Sequence, residues 1–177
     1  STFPGFCGVH ERLFEGFERR KAIQTDGELN LQIFRTLSRE IRRKTFDLDR
    51  LDRLVADLKA RLNADVAREA ARLKVGLSSF SYEGTNLDGA EAYLAEGRQV
   101  LADLHALHAA HWPAVAGTGA TGLEGDAFQV NLAFPVALSG MASVTVQGTQ
   151  RLWLMGVIPQ AQGTLIFLVG GPGSQAG

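Results

Sequence analysis

From Asp26 onward, apolar residues recur at threes and fours. Leu29, Ile33, Phe34, Leu37 and Ile41 share one face, which predicts a helix with Asp26 as its N-cap. After Asp47 the spacing resumes with Leu48, Leu51, Val55, Leu58, Leu62, Val66 and Leu73, separated by charged residues. That predicts a second, longer helix ending near Lys74, ahead of Gly76 and the Ser78-Ser79 pair. Ser78 to Gly89 reads as a loop. A third helix is predicted from Asp88, carrying Tyr93, Leu94, Val100, Leu101, Leu104, Leu107 and His108, with Pro113 stopping it.

A Gly/Thr/Ala stretch between Ala114 and Gly125 has no pattern of its own and reads as a mobile loop. Beyond it the period changes to two and the residues become β-branched and aromatic. Strands are predicted at 128–132, 143–146, 152–155 and 164–169, separated by turns at Ser139-Gly140, Gln147-Gly148 and Gln162-Gly163. Short connections imply a mainly antiparallel sheet. The last strand, Thr164 to Val169, is apolar throughout, so it belongs in the middle of the sheet or under cover on both faces. Helices first and strands after give an α+β fold, about three N-terminal helices covering one face of about four C-terminal strands. We expect a single domain over 1–177, with a Cys/His segment at 1–25, a helical part at 26–112 and a strand part at 126–171. No internal repeat is present.

The charge distribution sharpens this division. The chain has 177 residues, with Lys+Arg 18 against Asp+Glu 19 and a net charge of -1. Residues 113–177 hold only Glu124, Asp126 and Arg151. A water-facing surface normally carries charges of both signs, so so uncharged a segment is expected to be sandwiched, docked or oligomeric. Near-neutrality excludes a globally basic nucleic-acid binder, and no apolar run approaches the roughly 20 residues of a membrane helix. The opening Ser1-Thr2-Phe3-Pro4-Gly5 lacks the pattern of a secretory signal. The single cysteine, Cys7, excludes an internal disulfide, and we expect a cytoplasmic protein.

Candidate chemistry is sparse. Cys7 and His10 form Cys-x-x-His, two ligand types that zinc prefers, with Gly5 and Gly8 permitting a tight knuckle. Zinc wants four ligands, and His105, His108 and His111 are the weaker candidates for the rest. On spacing alone Cys7 reads as a small buried hydrophobe and His10 as a helix-start residue. A nucleophile–base reading of the same pair lacks an orienting group and an oxyanion hole, so no catalytic residue is assigned. The three histidines drift round their helix by about 60° per step, so two at most converge; placement near a helix C-terminus explains them as well. Arg98 and His105 match an Arg-x6-His ribonuclease spacing, which a sheet-forming chain does not suit.

Basic residues concentrate between Arg19 and Lys44. Arg35, Arg39 and Arg43 fall at i, i+4 and i+8, a stripe able to meet phosphates, although aromatic stackers are missing from it. Glu11, Glu15 and Glu18 stand at helical spacings and read as a solvated face. Gly170-Gly171-Pro172-Gly173 reads as a turn, since no helix follows it.

The segment from Phe3 to Phe14, with Glu18 after it, resembles a group of uncharacterised bacterial proteins. Their shared segment reads approximately Phe-x-Gly-Phe-Cys-x-x-His-Asp-x-x-Leu-Phe. Here Glu11 stands in place of the aspartate. Ile33 to Leu37, Phe134 to Gly140 and Val157 to Gln160 are similar to later parts of that group. The resemblance implies that Cys7 and His10 are half of a zinc knuckle whose other half lies upstream, and it implies no activity. Together these features predict a binding or assembly module, with zinc held at Cys7 and His10 and an oligomer formed through the charge-poor sheet. The alternatives are a nucleic-acid-associated protein using Arg35, Arg39 and Arg43, or an enzyme using Cys7 and His10.

Overall fold

A computed structural model describes residues 8–76, 87–146 and 148–173. Three helices, α1 (Gly8–Arg20), α2 (Asp26–Leu73) and α3 (Leu87–Val115), precede four strands, β1 (Glu124–Val130), β2 (Leu138–Val146), β3 (Thr149–Gln160) and β4 (Gly163–Gly170). The strands form one antiparallel sheet in the order β1-β4-β3-β2. The α+β arrangement is the one the periodicity predicts, and β4, the uniformly apolar strand, lies inside the sheet between β1 and β3. No helix among the described residues is long and apolar enough to cross a membrane.

The two helices expected at 26–41 and 48–74 are a single one, 48 residues long. Neither Gly nor Pro occurs between Ile41 and Leu48 to end it. The apolar spacing continues through Ile41, Lys44 and Leu48, with Lys44 on the stripe in place of a hydrophobe. Its cap also differs from expectation. Thr25 fills that role: its Oγ1 accepts from Glu28 N at 3.2 Å, and the Glu28 carboxylate accepts from Gln24 N at 2.8 Å. α1 and α2 end alike, with Lys21 (φ 52) and Lys74 (φ 55) in the left-handed region. Ala22 N donates to Phe17 O, and Val75 N to Ala70 O, closing each last turn.

α3 passes Pro113 and stops at Val115. The Pro113 carbonyl then accepts from Thr118 N and Gly119 N, and Gly122 N donates to Ala110 O at 2.9 Å. The stretch read as a mobile loop is thus folded back onto the helix end. Ser139-Gly140 is no turn but part of β2. The other two predicted turns connect strands: Val146 pairs with Thr149, and Gln160 with Gly163. Gly148, at φ 78, supplies the positive φ of the first.

The described residues fall into two compact units, one drawn from Ser1–Arg43 and Leu101–Gly177, the other from Lys44–Val100. In the first, register places Leu165, Phe167 and Val169 of β4 with Leu154, Gly156 and Ile158 of β3 on one sheet face. All but Ile158 are buried, as are the helix side chains Phe14, Phe17, Ile33, Leu37, Leu104 and Leu107. This is the helix-covered side, and Leu107 reaches the chain just past β4 at Gly171. Ala161 N, in the β3–β4 turn, donates to Lys21 O at 2.8 Å and ties the end of α1 to the sheet.

The second unit is an antiparallel helix pair. Leu48, Val55, Ala70 and Leu94 are buried in it. Arg98 pairs with Asp52 at 3.0 Å, Lys59 pairs with Glu91, and Lys44 Nζ lies 5.6 Å over the Tyr93 ring. Gly97 lets the helices approach, since a Cβ there would meet Leu48 Cδ2 at 2.6 Å.

Candidate functional site

A cleft of ≈ 520 Å³ opens in the first unit, where the end of α1 and the start of α2 meet the β2 and β3 side of the sheet. Phe17, Ile23 and Ile158 give it an apolar lining. Lys21, Arg35 and Arg39 bring positive charge, against a single carboxylate among the described residues, that of Glu18. Two of the three arginines of the basic stripe therefore meet in one concave site. Arg43 does not line it.

Each stripe arginine already has partners. Arg35 lies 4.7 Å from the Phe14 ring centroid, pairs with Glu18, and reaches Glu11 at 3.4 Å. Two of the three α1 carboxylates thus hold one guanidinium, while Glu15 pairs with Arg19 at 3.2 Å. Arg39 donates to Ser139 Oγ at 3.2 Å. Arg43 Nη2 sits 2.6 Å from Glu40 Oε2. Glu40 is only 1% exposed, and apart from this ion pair, which lacks hydrogen-bond geometry, neither of its oxygens has a hydrogen-bond partner among the described residues. Burial holds its carboxyl above the usual carboxylate range, with Arg43 and Arg39 pulling the other way.

The histidines divide by position on α3. His105 is exposed. His108 stacks at 4.4 Å on Phe34 and lies 3.3 Å from Ser38 Oγ, and burial lowers its pKa. His111 is fully buried. Its Nε2 is 2.8 Å from Asn30 O and its Nδ1 2.8 Å from Thr121 Oγ1. A carbonyl only accepts, so Nε2 carries a proton. Thr121 Oγ1 accepts from Leu123 N at 3.1 Å and can donate its own hydrogen to Nδ1. That arrangement suits the neutral ring, and burial pushes the pKa down in the same sense. Both nitrogens of His111 are therefore occupied in tying α2, α3 and the following loop together. Cys7 and the side chain of His10 lie outside the described residues. Among the described residues no group of three or more His, Cys, Asp or Glu is placed to hold a metal ion.

The opposite, outer face of the sheet belongs to the charge-poor segment expected to be sandwiched, docked or oligomeric. Register places Phe128 of β1, Ile166 and Leu168 of β4, Met155 and Val157 of β3, and Leu138 and Val144 of β2 on it. Phe128 is 51%, Leu168 42%, Met155 44% and Leu138 56% exposed. Leu132, Phe134 and Val136, in the β1–β2 connection, are exposed as well. That connection is held at the end of the sheet by Thr164, whose Oγ1 donates to Leu132 O at 2.6 Å and accepts from Phe134 N at 3.2 Å. Among the described strand residues, charge on this face is confined to Glu124 and Asp126 of β1 and Arg151 of β3. No protein-family model, curated protein or solved structure matches the chain.

Proposed function

We propose that the protein is a binding and assembly module that closes the outer face of its sheet against a second copy of itself. The observation that carries this reading is the apolar band running from Phe128 through Leu168 and Met155 to Leu138, exposed on every strand. Monomeric proteins rarely leave a contiguous apolar patch of more than a few hundred Å² in water, and two sheets can stack face to face about 10 Å apart.

The charges at the margin favour self-pairing. Asp126 pairs in register with Leu168, and Leu168 with Met155; Glu124 likewise aligns with Gly170 and Trp153, and Arg151 lies two residues beyond Trp153 on β3. A two-fold axis along β4 therefore sets Arg151 of each copy near the Glu124 end of β1 in the other. An isologous interface requires this kind of self-complementarity.

Light scattering on the eluting protein tests the reading. Wild type is expected at twice the 19.1 kDa chain mass, and Leu168→Lys at the chain mass with an unchanged circular dichroism spectrum. A wild-type monomer at micromolar concentration overturns it.

A further inference from the structure

We propose that the cleft of ≈ 520 Å³ on the helix-covered side of the sheet binds a small molecule with an oxyanion head, a carboxylate or phosphate, on an apolar body. Its volume falls within the roughly 300–1,000 Å³ of small-molecule sites, which are mostly apolar with a few convergent polar groups. Phe17, Ile23 and Ile158 supply the apolar part.

The polar part is cationic. Arg35 is committed to Glu18 and Glu11, so the Glu18 carboxylate in the cleft is neutralised in place. Lys21 and Arg39 form no ion pair among the described residues. The Arg39 guanidinium uses one N–H on Ser139 Oγ, leaving others for a planar, two-oxygen acceptor. Gln160 adds an independent sign. It lines the same cleft, and its buried Nε2 has no hydrogen-bond partner among the described residues. Buried donors are rarely left without an acceptor, and an oxyanion entering beside Lys21 and Arg39 supplies one.

Lys21 is fixed for this role by its backbone. It occupies the left-handed position that ends α1, and its carbonyl accepts from Ala161 N, so its Cα is held against the β3–β4 turn. The site is therefore assembled from the end of one helix, the first turns of the next and a strand end more than a hundred positions later.

Titration calorimetry with hexyl phosphate, with heptanoate and with inorganic phosphate alone tests the proposal. Binding of hexyl phosphate with Kd tighter than about 1 mM identifies a phosphate head, the same for heptanoate a carboxylate head, and both together an unselective oxyanion site. Inorganic phosphate is expected to bind more weakly than hexyl phosphate, because the apolar lining then stays unfilled. Arg39→Gln and the exposed Lys21→Gln should each weaken binding about tenfold, as loss of a charge-assisted contact does. Arg72→Gln, which removes one cation outside the cleft, should leave it unchanged. Absence of binding by both organic probes overturns the proposal, as does binding that Arg39→Gln and Lys21→Gln leave intact or that Arg72→Gln weakens equally.

Discussion

The ring of Phe167 lies against the backbone of Gly156, its partner across the β3–β4 ladder. A Cβ built on Gly156 would stand 2.2 Å from Phe167 Cε1 and 2.3 Å from Cζ. Both residues belong to the helix-covered face, and Phe167 is completely buried. The glycine is thus a receptacle for the ring, an arrangement that shields a weak point in a strand with aromatic surface.

Gly156→Ala should therefore destabilise the protein by about 1–3 kcal/mol, as overpacking of a well-filled core does. The urea midpoint measures it. Gly156→Ala combined with Phe167→Leu should recover part of the loss, because the smaller side chain makes room for the methyl; strictly additive losses would contradict the contact.

The paired contacts of His111 give a pH-dependent prediction. The pKa values of His108 and His111 are lowered from 6.5, chiefly by burial, so the unfolded chain binds more protons than the folded one between those values and 6.5. Their contribution is complete above the unfolded value and is lost as the pH falls through this window. Stability should thus drop between about pH 7.5 and about pH 5, and the drop should shrink in His108→Gln/His111→Gln. His111→Leu should also lose about 1–3 kcal/mol at neutral pH by removing both ring bonds, to Asn30 O and to Thr121 Oγ1, that tie α3 to α2 and the following loop. Denaturant titrations at the two pH values check both.

Glu40 titrates in the opposite sense. Its folded-state pKa is raised, so ionisation opposes folding, and stability is lost as the pH rises from the unfolded value of 4.5 through the folded one. Glu40→Gln keeps the shape and removes that penalty. The expected result is a higher Tm than wild type at neutral pH, the gain disappearing near pH 4. A lower Tm at neutral pH would mean that the ion pair with Arg43 outweighs the desolvation of Glu40.

Local patterns were enough to find the strands, two of the three turns and the central place of β4, because period-two alternation and uniform apolarity report directly on burial. They failed at Ile41 to Leu48, where Lys44 interrupts the apolar run. The backbone continues regardless, with the lysine's stem beside Gly97 and its ammonium over Tyr93. Ser139-Gly140 misled because both residues are common in turns, whereas here they pair in register with Gly156 and Met155. Of the cleft, the arginine spacing was legible and the concavity was not. Arg39 and Ser139 stand 100 positions apart, and no local period records such a meeting.

The strand order β1-β4-β3-β2 makes the last strand made the partner of the first. During synthesis, residues 138–160 can zip into a hairpin as they emerge, while 124–130 must wait with its ladder groups unpaired until 163–170 is complete. A ribosome pausing before β4 would therefore hold out a nascent chain with an apolar strand edge and Phe128 bare, the state most exposed to aggregation and to chaperones. Synonymous codons that slow translation just ahead of residue 163 should then lower the soluble yield of a protein whose finished fold is unchanged.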